Sequence, residues 1–258
     1  MFKLIPRTLA VGILAFSAVS AGAAGPKPTI VLVHGAFAGS SSWNGVVAEL
    51  TRQGYPVVAA ANPLRGVAND GAYVASLMKS IAGPVVLVGH SYGGSVISAA
   101  ANGLDKVKAL VFVAAFAPAE GESALALTGK FPGSTLPPAL AAPVPLPDGG
   151  EDLYVQQEKF PQQFAADVPL AEARAMAATQ RPVKAAALQE ASPAPAWKSI
   201  PSWAIYGTDD LNIPPAAMGF MADRAQAKKT VVVKGASHAL MVSHPAEVAA
   251  LIQEAATN

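Results

Sequence analysis

The sequence predicts an α/β fold: a mostly parallel sheet of about six strands, helices on both faces, and a helical insertion late in the chain. Three observations predict it. Short β-branched runs alternate with amphipathic segments, the order that gives right-handed crossovers between parallel strands. The first of these runs, Thr29 to Val33, is apolar throughout, as a strand buried on both faces must be. The rhythm holds to about residue 117, breaks, and resumes near residue 197. Apolar residues make up 52% of the 258 and charged residues only 14%, which excludes a disordered chain and leaves enough material for one large core.

Residues 1–23 read as a signal peptide. Lys3 and Arg7 supply a basic start, Leu9 to Val19 an apolar run too short for a membrane span, and Ala21-Gly22-Ala23 a small-residue cleavage pattern. Export to the periplasm or medium is the expectation, with no stable membrane insertion of the mature chain. From residue 24 the elements follow in order. After the strand Thr29 to Val33, Val46 to Gln53 reads as a helix stopped by Gly54. Pro56 to Ala60 is a second strand and Asp70 to Ile81 a second helix. Gly83-Pro84 punctuates the chain before the strand Val85 to Val88. A helix of small residues, Gly93 to Ala101, leads to a fourth strand, Lys108 to Ala114. Ser202 to Tyr206 and Thr230 to Val233 complete the sheet, and a final helix runs from Pro245 to about Ala256.

Residues 118–196 form the insertion, leaving a core of 24–117 and 197–258. Six prolines between Phe131 and Gly150 exclude regular structure there. Helical segments are expected at Asp152 to Lys159, Leu170 to Thr179 and Val183 to Glu190. So long an interruption in a compact domain suggests a cap over a site.

Composition narrows the chemistry. Eighteen basic against seventeen acidic residues give no electrostatic case for nucleic acid, and loss of Lys3 and Arg7 with the leader leaves a charge near −1. The absence of cysteine removes thiolate catalysis, disulfide scaffolds and cysteine-ligated metals. No metal and no cofactor are called for. Gly89-His90-Ser91-Tyr92-Gly93 follows a strand and opens a helix, the setting of a nucleophile elbow, where only glycine fits on either side of the turn. Ser91 is therefore the candidate nucleophile. A serine hydroxyl needs a base. Of the four histidines, His238 follows the last strand at the sheet edge where ligands gather. His34 suits a loop-orienting hydrogen bond, His90 sits too close to Ser91 to swing back onto it, and His244 suits a cap or the surface. The acid that orients the base comes from Gly207-Thr208-Asp209-Asp210; spacing alone does not separate the two aspartates. Two backbone donors for an oxyanion are expected, Tyr92 after the nucleophile and Ala36 after the first strand.

These signals together resemble the α/β-hydrolase superfamily, and within it the small cap-bearing branch of plant methyl esterases and hydroxynitrile lyases. The resemblance rests on Leu32-Val-His-Gly-Ala36, Gly89-His-Ser-Tyr-Gly-Gly94, Gly207-x-x-Asp210-x-x-Ile213-Pro214 and Ser237-His238. It implies Asp210 as the acid and places the cap where residue 118 begins. The lyases carry a lysine after the histidine and a threonine in the oxyanion loop; Ala239 and Ala36 stand there here, which implies esterase chemistry. The expected activity is carboxylester hydrolysis of a small, mainly apolar ester or lactone through an acyl-enzyme. Alternatives are a cofactor-free perhydrolase using the same triad, or a ligand-binding protein without turnover. Phe37, Phe116, Leu211 and Met241, with Tyr154 and Phe160 from the cap, are the expected pocket walls. The partner is a small-molecule ester; oligomeric state is not legible.

Overall fold

The computed structural model describes Met1, residues 27–147 and residues 149–258. The signal-peptide reading thus lies, Met1 apart, outside the described residues. Six parallel strands form the central sheet: β1 (Thr29–Val33), β2 (Val57–Ala60), β3 (Val85–His90), β4 (Val107–Val113), β8 (Ser202–Gly207) and β9 (Lys229–Val233), in the spatial order β2-β1-β3-β4-β8-β9. The inner strands are continuous β-branched runs because both of their faces are covered; every residue of β3 is buried. At the edges the pattern relaxes, and β9 alternates between exposed and half-buried residues. The chain steps one way from β1 to β2 and then returns past β1 to β3. Right-handed crossovers therefore send α1 (Asn44–Arg52) to one face and α2 (Val67–Ser80) and α3 (Tyr92–Ala100) to the other. The last helix, α10 (Pro245–Thr257), packs beside α1, and α2 packs beside α3. The reversal puts a crevice beyond the C-terminal ends of β1 and β3, the switch point where open α/β sheets bind ligands.

Between β4 and β8 lie α4 (Ala124–Lys130), β5 (Val144–Pro145), β6 (Glu151–Leu153), α5 (Phe160–Phe164), α6 (Leu170–Thr179), β7 (Val183–Lys184) and α7 (Ala185–Gln189). Strands β5, β6 and β7 form a small antiparallel sheet. Three expectations fail here. The proline-rich stretch between Phe131 and Gly150 does hold regular structure, a 3-10 turn at Pro137–Ala139 and strand β5, whose edge position tolerates Pro145. Residues 152–159 are not a helix: Asp152 and Leu153 pair with Lys184 and Val183, and helix begins only at Phe160. Residues 183–190 open as that partner strand before turning helical. Sequence analysis also overlooks α4, whose start is marked by Ser123 accepting a hydrogen bond from the Ala126 amide, and α8 (Pro215–Arg224), whose start is marked by proline in the first turn.

The insertion is tied down at its base and along one flank. At the base, Trp197 Nε1–H donates to the Pro118 carbonyl at 3.0 Å, and Arg224 forks onto Glu122 at 2.9 and 2.8 Å. That guanidinium holds the Glu122 carboxyl below the usual carboxylate range. On the flank, Arg65 pairs with Asp152 of β6 at 2.6 Å. Glu190 reaches across to accept the first two amides of α2, Val67 and Ala68, at 2.8 and 2.9 Å. A carboxylate there satisfies orphan donors and complements the helix dipole. Among the described residues, no helix is long and apolar enough to cross a membrane.

Candidate active site

The tight turn after β3 holds Ser91 at φ 54°, ψ −125°, a left-handed backbone that a non-glycine residue adopts only when its surroundings enforce it. Those surroundings are backbone. A Cβ on Gly93 would stand 2.5 Å from the Val33 carbonyl oxygen, one on Gly94 2.1 Å from that of Phe116, and one on Gly35 2.6 Å from Ser91 Cβ. The elbow is thus pressed against the loop after β1 with no room for side chains. Ser91 lies at the N-terminal end of α3, and its hydroxyl makes no hydrogen bond to any described residue.

Asp210 and His238 follow β8 and β9. His238 Nδ1 meets Asp210 Oδ2 at 2.6 Å, and both side chains are buried. The other carboxylate oxygen accepts the amides of Asn212 and Ile213 at 2.8 and 2.9 Å. Asp210 is thereby held in place and orients the imidazole through Nδ1, leaving Nε2 outside that bond. The two aspartates differ physically: Asp209 is exposed and, among the described residues, its side chain accepts only from the neighbouring Thr208 hydroxyl.

The two expected donors are free. Tyr92 opens α3, so its N–H has no intrahelical acceptor, and among the described residues neither it nor the Ala36 amide has a backbone partner. The next amide, Phe37, is already spent on the Arg181 carbonyl at 3.0 Å. Far below, the Tyr92 hydroxyl donates to buried Asp70 at 3.0 Å, and burial pushes its pKa up. The other histidines have different work. His34 Nε2 accepts the Asn62 amide at 3.1 Å, and burial, with the Arg181 charge, pushes its pKa down to about 4. His90 is buried against His238, burial above all pushing its pKa well below the usual value. His244 precedes α10, half-buried, 3.4 Å from Asp167.

Ser91, His238, Ala36 and Tyr92 all line one cavity of about 200 Å³. Of the six expected wall residues, it contains Phe37 and Phe116. The other four stand elsewhere. Tyr154 lines a separate groove on the cap, Phe160 and Met241 are wholly buried in packing, and Leu211 offers its carbonyl to Gln163 and Thr135. The walls the sequence did not indicate are Leu136, Leu140, Leu153 and Phe164 from the insertion, Leu125 of α4, Leu188 of α7, and Asn212 and Ile213 beside the acid. The rim carries exposed Leu125, Pro137 and Gln189. No lysine, arginine, aspartate or glutamate lines the cavity among the described residues.

The insertion also touches the loops of Asp210 and His238 directly. Gln163 donates to the Leu211 carbonyl at 2.9 Å and to Asn212 Oδ1 at 3.0 Å, while the Phe164 carbonyl accepts the Ala239 amide at 3.0 Å. The Phe164 ring stands edge-on to His238, centroids 4.9 Å apart. Asp167 accepts from the Ser237 hydroxyl.

Comparison with known proteins agrees with this layout. The model of the alpha/beta hydrolase family matches residues 30–251. The chain belongs to that family. A carbendazim hydrolyzing esterase of Nocardioides sp. (strain SG-4G) is 32% identical over 125 residues, 43% of this chain and 50% of its own length. Esterase PIR7B of Oryza sativa subsp. japonica is 36% identical over 129 residues, 44% of this chain and 48% of its own. The chain thus spans about half the length of these relatives. Polyneuridine aldehyde esterase superposes with a TM-score of 0.77 at 20% identity, covering 88% of this chain and 98% of that one, a likeness of fold. This alpha/beta hydrolase accordingly resembles the plant esterases in architecture, as its motifs implied.

Proposed function

We propose that this alpha/beta hydrolase is a serine carboxylesterase acting on a small, neutral, mainly apolar ester or lactone. The observation that carries the reading is the convergence on one apolar cavity of a buried His238 held by Asp210 with a Ser91 hydroxyl and two backbone amides that have no partner among the described residues. In this reading Ser91 Oγ attacks the carbonyl carbon while His238 Nε2 takes its proton. The Ala36 and Tyr92 amides receive the oxyanion, a contribution of about 3 kcal/mol per donor in comparable sites. Collapse breaks the ester C–O bond and His238 returns the proton to the departing alkoxide. Water, deprotonated by His238, then cleaves the acyl-enzyme and restores Ser91.

The uncharged lining supports a neutral substrate, because an ionised group would enter with no countercharge. The ester-cleaving names of the sequence relatives support the reaction class. The signal-peptide-like pattern of residues 1–23 supports action outside the cytoplasm. The test is a series of p-nitrophenyl esters of rising acyl length, run on the wild type and on Ser91→Ala. Turnover that vanishes in Ser91→Ala and peaks at a short or medium chain is expected. Turnover that persists without the hydroxyl overturns the proposal, and strict dependence on added peroxide favours perhydrolase chemistry instead.

A further inference from the structure

His90 is a fully buried imidazole that neither the nucleophile nor the charge network uses. Its Nε2 lies 3.0 Å from the main-chain carbonyl oxygen of His238. A carbonyl only accepts, so Nε2 carries the proton and Nδ1 is a bare acceptor. Among the described residues that Nδ1 has no hydrogen-bond partner, although it is shielded from solvent. An apolar side chain would fill the site without leaving a polar atom stranded there. Beyond its edge-on contacts with the Trp43 and Phe164 rings, what the imidazole supplies that a leucine cannot is the bond to residue 238, which is 148 positions away in the chain.

That bond has a particular place in the site. Residue 90 is covalently joined to the nucleophile, and residue 238 is the base. The ring of His238 is oriented by Asp210 through Nδ1; its main chain is held by His90. The rings of His90 and His238 lie 4.7 Å apart, with Trp43 edge-on to His90 and Phe164 edge-on to both. We propose that His90 is a positioning residue for the base, a strut through which the elbow sets the distance between Ser91 and His238. The inference rests on the esterase reading for its kinetic consequence, but the strut itself is a statement about one proton.

The test compares His90→Leu with His90→Gln, whose amide nitrogen reaches about as far as Nε2. With p-nitrophenyl acetate, kcat of His90→Leu is expected to fall about 10- to 100-fold with KM within about threefold, the signature of lost positioning rather than lost binding. His90→Gln, which restores the donor, recovers most of that loss on a logarithmic scale. A loss below about fivefold in His90→Leu, or an equal loss in both variants, overturns the proposal. Should His90→Leu fail to fold, His90→Asn takes its place, since its amide stops short of the carbonyl. Nitrogen-15 NMR of the wild type separates this proposal from the esterase reading. A proton on Nε2 of a neutral His90 is expected whatever the substrate, whereas a proton on Nδ1 defeats the strut even if Ser91 proves to be the nucleophile.

Discussion

The two halves of the site are held by different means. At the ends of β1 and β3, Ser91 and its neighbouring amides are set by backbone pressed on backbone, with Gly35, Gly93 and Gly94 leaving no space for a Cβ. At the ends of β8 and β9, backbone is also pressed on backbone, since a Cβ on Gly207 would stand 2.0 Å from the Ala236 carbonyl oxygen, but the loops of Asp210 and His238 are held in addition by groups of the insertion: the Gln163 side chain, the Phe164 carbonyl and the Asp167 carboxylate. The first half is rigid because a fully buried strand and a helix start meet there. The second lies beside a half-exposed edge strand, β9, and borrows its rigidity from the cap. The insertion therefore braces the loops of Asp210 and His238 as well as walling the pocket.

Breaking the second half chemically gives the largest effect. Asp210→Asn leaves the shape nearly intact but no longer stabilises the imidazolium, and kcat on p-nitrophenyl esters is expected to drop by about 10³- to 10⁴-fold. Breaking the first half sterically acts on folding instead. Gly94→Ala drives a methyl to 2.1 Å from the Phe116 oxygen, and a loss of about 3 kcal/mol or more, read by urea unfolding, is expected. Gln163→Ala sharpens the contrast from the cap side. It strips the Leu211 carbonyl and Asn212 of a buried donor, so kcat should fall about tenfold and stability by about 1–3 kcal/mol. The same loss of stability without any change in kcat would show that the cap braces the fold and not the acid.

Acid provides the mildest probe. The His34 imidazole, neutral in the fold with its pKa near 4 rather than 6.5, is protonated more readily in the unfolded chain. The stability it lends is complete above about pH 6.5 and is lost as pH falls from there through about 4, where the folded form also takes the proton. His90 acts in the same direction. Unfolding free energies at pH 7.5, 5.5 and 4.5 should decline in that order, and His34→Gln should flatten the decline.

The first half was readable because its constraints are local. A strand, a glycine-flanked serine and a helix of small residues are contiguous, so Ser91 and Tyr92 follow from one pentapeptide and Ala36 from another. The acid needed either a family resemblance or its burial, since Asp209 and Asp210 share every local feature. Phe37 and Phe116 line the cavity as expected, whereas Tyr154 and Phe160 miss it by a fixed geometric step. Tyr154 and Leu153 are neighbours at the end of a strand, so one residue decides which face is lined. Phe160 and Phe164 share a helix face, and only the second reaches the cavity, one turn nearer His238. Residues 152–159 misled because β6 is only three residues long and its partner, β7, lies thirty positions on. His90 gave no signal at all: its work depends on a carbonyl across the fold.

Glu190 extends the lesson to the engineering of such enzymes. Because it closes the start of α2, and because a Cβ on Gly66 would sit 2.5 Å from its carboxylate, a helix of the core is finished by a residue of the insertion. Lids cannot be traded among relatives as self-contained cassettes here: a graft lacking that glutamate would fray the scaffold it was meant to decorate, and a recipient with a larger residue at position 66 would refuse the graft.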